Sequence, residues 1–395
     1  MLPQARSAGE EYRRRLGRRL PILAGLLMLT GCGLPLPLRI ASCAEMTAPS
    51  FGAVDDQRTM TTRFSILTYN IEGLGWPARG GRAPDLRKIG VHLADLRAQG
   101  RAPDVVMFQE MFSGAAKKAV LAAGYPSIVS GPGRVMRPDG PAMDKLPGRS
   151  GIKRGEVGLR LTGGGLAIAS RYPIVNSTVR AYGRRSCAGI DCLANKGILM
   201  ARIAIPGVPF PIDLYNTHMN SRGASRAPAR RNLAAHDRQA FEASDFINET
   251  HDDAIPLIVG GDFNMRDSQA RWDNFTSRQP LMLVHKVCAE PESGCDAQMS
   301  WDGDAPWMDT QDLQFFWPGV SANIRPVRVE AMFDGGPGGP VLSDHDAFLV
   351  TYELRWPRTF ASSTPSVHPA CSIFMSEALS GGAPDRRGRD DLETK

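Results

Sequence analysis

The chain has 395 residues, 42% of them hydrophobic and 22% charged, enough for one large soluble domain or two ordinary ones. With 41 Gly, 30 Pro and only one apolar run approaching membrane length, the composition excludes collagen, coiled coil and a multi-span membrane protein. The formal charge of +6 is concentrated at the start, where six arginines precede residue 32. The remaining 41 basic and 39 acidic residues are too evenly balanced to imply nucleic acid.

In chain order, the first feature is a basic stretch, YRRRLGRR (12–19), followed by the apolar run LPILAGLLMLTG (20–31). That run is short for a hydrocarbon core of about 30 Å, so residues 1–31 read as a signal peptide. The run ends in Leu29-Thr30-Gly31-Cys32, which resembles a bacterial lipobox. An acylated Cys32 would associate the protein with a membrane. Cleavage after Ala44 in Ala41-Ser42-Cys43-Ala44 would instead release it, and a buried N-terminal helix is the third reading. Export to the outer membrane or periplasm, or secretion, is expected. Residues 32–62 read as a linker, 63–358 as one domain without internal repeats, and 359–395 as an extension disordered after about 380.

Within the domain, FSILTYNI (64–71) reads as a strand, LRKIGVHLADL (86–96) as a helix and DVVMFQ (104–109) as the next strand. Helices are expected near 113–122 and 228–248, and a Gly-, Pro- and Arg-rich surface loop over 130–160. Further strands are expected at 165–169, 197–205, 212–217, 256–259, 313–316, 324–330 and 347–354. Many strands with few helices imply two packed sheets with helices outside them. Among the cysteines, Cys187/Cys192 and Cys288/Cys295 are near neighbours able to staple local turns, leaving Cys43/Cys371 by elimination. Such pairs persist in an oxidising compartment, and no spacing gives a zinc signature.

Five polar clusters end otherwise apolar strands: Tyr69-Asn70, Gln109-Glu110, Thr217-His218-Met219-Asn220, Gly260 to Asn264, and Ser343-Asp344-His345-Asp346. Ionisable groups directly after strands lie where loops emerge, so they can converge in one cleft. Each cluster alone has a structural explanation as a turn former or buried polar group; five together point to chemistry. Asn70 and Glu110 offer oxygen ligands suited to Mg²⁺ or Mn²⁺. His218 and His345 change charge near neutral pH, as general acid–base work requires.

From about Phe64 to Leu354 these motifs, with Gly164 to Arg171 between them, resemble the endonuclease/exonuclease/phosphatase superfamily. The resemblance implies a DNase I-like four-layered α/β sandwich, two central mostly antiparallel sheets flanked by helices, that hydrolyses phosphoesters with a divalent cation. It implies Glu110 as the principal metal ligand, Asn70 beside it and Asp344 as a possible third. His345 would be the general base. Asp312 would orient it, with Asp309 as a substitute and Asp302 and Asp304 as weaker ones. Asp262 and Asn264 would hold the attacking water and the phosphoryl oxygens. His218 would donate to a phosphoryl oxygen, supported by Asn220.

The run Cys187-Ala188-Gly189-Ile190-Asp191-Cys192-Leu193-Ala194-Asn195-Lys196-Gly197 is similar to a segment of bacterial neutral sphingomyelinases, as is Thr217-His218. That likeness implies a phospholipase C-type cut of sphingomyelin into ceramide and phosphocholine; a monomer is the separate expectation for the assembly. Lys196 then attracts phosphate or is a surface lysine. Trp301, Trp307, Phe315, Phe316 and Trp317 form an interfacial patch or belong to the core. The alternatives are an exported nuclease, with Arg222, Arg226, Arg230 and Arg231 tracking a phosphate backbone, a phosphomonoesterase, or a non-catalytic binding lipoprotein.

Overall fold

The computed structural model describes residues 39–41, 48–54, 58–75, 78–141, 143–299, 305–320 and 322–362. The first half supplies β1 (Arg39–Ala41), β2 (Phe51–Val54), β3 (Thr59–Asn70), α1 (Ala83–Ala98), β4 (Val105–Gln109), α2 (Gly114–Ala122), β5 (Ser127–Ser130), β6 (Ala167–Ser170) and β7 (Ile174–Ala181). After it come β8 (Gly197–Ile203), β9 (Ile212–His218), α3 (Ala229–Thr250), β10 (Leu257–Asp262), α4 (Gln269–Thr276), β11 (Met282–Leu283) and α5 (Val284–Ala289). The last strands are β12 (Asp296–Gln298), β13 (Asp312–Trp317), β14 (Asn323–Met332) and β15 (Ala347–Pro357).

One sheet runs β1-β5-β6-β4-β3-β15-β14-β12, with β2 also on β3; the other runs β11-β13-β10-β9-β8-β7. Most pairs are antiparallel. The parallel exceptions are β3/β4, β9/β10 and β12/β14.

Side-chain alternation along the strands builds the layers. From β3 and β4, Phe64, Ile66, Val105 and Met107 enter the core between the sheets, beside Leu214, Ile258 and Phe316 of the second sheet. Leu67, Tyr69, Val106 and Phe108 point the other way, onto Leu86, Ile89, Leu93 and Leu96 of α1 and Ala116 and Val120 of α2. On the far side, Tyr215, Val259 and Phe315 meet Ala240, Ala243 and Phe246 of α3 and Trp272 and Phe275 of α4. The result is helix, sheet, sheet, helix, as expected from the sequence. The sheets approach closely at Gly260, where a Cβ would lie 2.7 Å from the Met107 sulfur.

The same alternation aims the polar strand ends inward. Asn70, Gln109, Asn216, Asp262, Asp312 and Gln314 share parity with the inter-sheet core residues of their strands and are buried. A polar seam therefore replaces the apolar core toward one end. Gln109 Nε2 donates to Asn216 Oδ1 at 2.7 Å, and Asn216 Nδ2 donates to the Phe108 and Ala167 carbonyls. Tyr352 donates to Gln314 Oε1, and Gln314 Nε2 donates to the Ile66 and Phe348 carbonyls. These bonds tie the sheets in one register, while Gln109 Oε1 and Asp312 Oδ1 stay buried without a partner among the described residues.

Several expectations change. Within the 32–62 segment read as a linker, β1 pairs with β5 and β2 pairs with β3; Phe51 stacks edge-on against Trp356, which secures β2. The sequence reading also omitted β5, β7, β11, β12, α4 and α5. Phe315 and Phe316 are core residues, and Trp307 packs beside Trp272. Only Trp317 of that set is exposed among the described residues, so no aromatic patch forms there; Trp301 lies outside them. The disulfides Cys187–Cys192 and Cys288–Cys295 are present as expected. The signal segment, Cys32, the Cys43/Cys371 pairing and the tail beyond 362 lie outside the described residues. No helix among the described residues is long and apolar enough to cross a membrane.

Candidate active site

The site forms where β3 and β4 of one sheet meet β9, β10 and β13 of the other. Parallel pairing sets Asn70 beside Gln109 and Asp262 beside His218, and antiparallel pairing sets Asp262 beside Asp312. Five chemistry-bearing strand ends thus finish at the same level.

Asn70 bridges the two sheets. Its Nδ2 donates to Asp262 Oδ2 at 3.0 Å, and its amide also hydrogen-bonds Glu110. Its Oδ1 accepts the Glu72 N–H at 3.1 Å. Glu110 follows β4 with a positive φ of 60°, a bend that turns its carboxylate out of the strand. Beside it, Gly165 is required: a Cβ there would lie 2.5 Å from the Phe112 ring, and the Gly165 carbonyl accepts the Met111 N–H.

Burial pushes the Glu110 carboxyl up to about 7; Asp262 adds to the rise, while Lys196, Asn70 and His345 oppose it. Asp262 rises to about 6, chiefly by burial, against the pull of His345. Burial raises both carboxyls even though Lys196 and His345 oppose it. The carboxylate and amide oxygens of Glu110, Asp262 and Asn70 are the donor type a hard divalent cation such as Mg²⁺ takes. Among the described residues no group of three or more His, Cys, Asp or Glu side chains is disposed to hold a metal by itself.

His345 Nδ1 meets Asp312 Oδ2 at 2.6 Å. Burial disfavours its charge, but Asp312, with Asp262 and Asp344 behind it, outweighs burial and raises it to about 10. Asp312 is therefore the orienting carboxylate. Asp309 is exposed, and Asp302 and Asp304 lie outside the described residues. Asp344 is also exposed, its charge acting on His345.

His218 is buried, and its Nε2 faces Lys196 Nζ at 3.0 Å and Asp262 Oδ2 at 3.4 Å. Burial, then the charges of Lys196 and His345, drive its pKa well below the usual value, so the ring is neutral. Lys196 is not a surface lysine: it is 4% exposed, donates to the Met219 carbonyl at 2.8 Å and pairs with Asp191 at 3.3 Å. It is a fixed cation beneath the carboxylates. Asn264 has φ 54°, donates from Nδ2 to the Met219 carbonyl and from its backbone to Asp262 Oδ1, which fixes the Asp262 carboxylate.

Asn220 is the correction. Its Oδ1 accepts the Ala188 N–H, its Nδ2 donates to the Ser221 carbonyl, and it is fully buried. It braces two loops and, with no surface exposed, is turned toward backbone groups rather than the cleft. Of the arginine run, Arg231 is held inward by Glu156 and the carbonyls of Leu146, Pro147 and Gly148, while Arg222, Arg226 and Arg230 are exposed, Arg222 pairing with Asp267.

Three supporting residues were missed. Arg271 donates to the Asn220 and Asn264 carbonyls and to Asn232, locking the loops after β9 and β10. Arg82 joins the Ile71 and Leu342 carbonyls, tying the end of β3 to the His345 loop. Asp191 holds Lys196 and accepts the Ser221 N–H. Only Asp191 left a signal, lying within the segment that carried the sphingomyelinase likeness.

Residues 67–345 match the model of the Endonuclease/Exonuclease/phosphatase family, and the chain belongs to that family. Among solved structures it is similar to a mutant of beta toxin from Staphylococcus aureus with bound magnesium ions, at 19% identity and TM-score 0.52, over 73% of this chain and 99% of that one. Sphingomyelinase C from Streptomyces griseocarneus aligns at 20% identity and TM-score 0.49, over 73% and 99%. Humanized TDP2 of D. rerio aligns at 16% and 0.46, over 73% and 98%. No curated protein sequence matches the chain. At such identities the likeness to the toxin is one of fold.

Proposed function

We propose that the protein is an exported, Mg²⁺-dependent phosphodiesterase that cleaves sphingomyelin into ceramide and phosphocholine by in-line attack of water. The observation that carries the hydrolytic reading is the His345–Asp312 pair at 2.6 Å, sharing one cleft with Glu110, Asn70 and Asp262. Asp312 accepts the Nδ1 proton, and the surrounding carboxylates keep the metal-free ring protonated up to about 10. Nε2 would take a proton from water only where a bound cation offsets that negative charge and draws the ring's pKa down. Asp262, immobilised by Asn70 and the Asn264 N–H, positions that water. Glu110, with Asn70 beside it, is the place for the cation, which when bound neutralises charge on the phosphoryl oxygens. Lys196 keeps positive charge under the same oxygens, and neutral His218 lies between it and Asp262.

The lipid assignment is supported by the Cys187–Gly197 segment, whose Asp191 and Lys196 enter the site, and by the engagement of Arg231 with Glu156. Two disulfides support an oxidising compartment, in keeping with the leader, and Cys32 is proposed as its acylated anchor. The test is a substrate panel of sphingomyelin, plasmid DNA, RNA and a phosphomonoester with Mg²⁺ or EDTA. Sphingomyelin turnover abolished by EDTA is the expected result. Efficient DNA cleavage without lipid turnover replaces the reading with a nuclease.

A further inference from the structure

Away from the catalytic residues, a cavity of about 290 Å³ opens beside the Cys187–Cys192 disulfide. Lys145, Arg160, Arg184, Arg185 and Arg231 line it, against a single acid, Glu156. Glu156 is already engaged: it pairs with Arg231 and accepts the Gly151 and Gly189 N–H groups. Arg160 is held in place by the carbonyls of Cys192 and Ala194, at 3.0 and 2.9 Å. Burial, then the charge of Arg184, lowers its pKa, as happens to a guanidinium short of counter-charge. The cavity is thus a built cationic site without enough anions of its own.

A second observation concerns the same segment. Ile152, Val157, Leu159 and Leu161 are 76%, 42%, 66% and 61% exposed, on either side of the Gly158 and Arg160 that line the cavity. Large apolar side chains beside clustered cations match the two halves of a membrane interface: acyl chains for the one, anionic headgroups for the other. A soluble phosphate would account for the arginines and leave the leucines unexplained. The segment also leads into the cleft, since Gly165 receives the Met111 N–H next to Glu110.

We infer that this face is a docking site for an anionic phospholipid bilayer, with a lipid phosphate seated in the cavity among Arg160, Arg184 and Lys145, and Leu159 and Leu161 entering the apolar zone. This deepens the lipid-hydrolase reading and rests on it for its biological sense. The docking segment and the cleft are joined through the chain between Leu161 and Gly165, so a bound bilayer is coupled to the catalytic face by that short stretch.

The test uses the full chain, with Lys145→Glu/Arg184→Glu and Leu159→Ser/Leu161→Ser variants, none in the catalytic machinery. Hydrogen exchange is read over 150–162 and 184–193 with phosphatidylcholine vesicles, with vesicles containing phosphatidylglycerol, and with inorganic phosphate. Wild type is expected to be protected in both segments only by the phosphatidylglycerol vesicles. Each lost basic residue costs on the order of fivefold at an anionic surface, so the charge variant loses at least about tenfold of sphingomyelin turnover on those vesicles. Both variants keep wild-type turnover of water-soluble bis(4-nitrophenyl) phosphate, which shows that they fold. Equal protection by inorganic phosphate overturns the lipid assignment, and equal protection by phosphatidylcholine vesicles overturns the role of charge. Loss of soluble-diester turnover in wild type would instead sink the hydrolase reading, leaving the docking result to stand by itself.

Discussion

Asn70 and Asp262, 192 positions apart, are joined across the two sheets by a hydrogen bond of 3.0 Å, with Asn70 also contacting Glu110. One neutral amide therefore separates two buried carboxylates and donates to both. A carboxamide is suited to this place because it supplies donors without adding charge.

Asn70→Ala removes both donors and leaves the carboxylates facing each other. The expected cost is about 1–3 kcal/mol in stability and roughly a hundredfold in kcat, from losing a preorganised polar group. Urea unfolding together with bis(4-nitrophenyl) phosphate kinetics checks both, and wild-type kinetics in this variant would remove Asn70 from the site.

Asp312→Asn tests the base. The amide can fit the space but cannot hold the same tautomer or support the imidazolium, so kcat should fall by about 10³–10⁴ with KM little changed. The linkage runs in one direction. His345 is raised to about 10, so its contribution is fully present below about 6.5 and is lost as pH rises through 10. In metal-free protein the wild type should therefore exceed Asp312→Asn by up to about 5 kcal/mol at pH 6, and the gap should close toward pH 11. Adding Mg²⁺ places positive charge near the ring and should lower the His345 midpoint, visible as a shifted imidazole resonance in an NMR titration.

Legibility followed the physics of the strands. β3, β4, β9 and β10 were readable because an apolar run changes to polar residues at one end, and parity then aims Asn70, Gln109 and Asp262 inward. β7 was not: Ile174–Ala181 is largely half-buried, and its Asn, Ser and Thr blur any period. Asp312 was found through the family resemblance, which implies an aspartate just ahead of a strand to orient the histidine. Asn220 misled because it follows His218 so closely, yet the chain leaves β9 there and its amide turns to backbone groups. Arg82 and Arg271 were invisible because their partners are mostly carbonyls, which every residue possesses.

Glu110→Gln should separate stability from function. A carboxyl raised from its usual value to about 7 destabilises the metal-free fold, with no penalty below about 4.5 and the full penalty above 7. The neutral variant escapes that penalty, so in EDTA at pH 8 it should be more stable than wild type by about 3 kcal/mol, and inactive. Mg²⁺ should raise the melting temperature of wild type and not of the variant. Equal Mg²⁺ stabilisation of both proteins would move the metal site elsewhere.

Lys196→Met removes the buried cation while keeping most of its volume. Lys196 lowers the pKa of both Glu110 and Asp262, so its loss should raise both, and the acid limb of the kcat/KM–pH profile should move to higher pH. Activity at pH 6 should then fall well before activity at pH 8. Asp191 would lose its ion-pair partner, and the Ser221 N–H it accepts should exchange faster. An unmoved acid limb would mean that Lys196 only packs the loop, and the electrostatic role assigned to it beneath the carboxylates would be wrong.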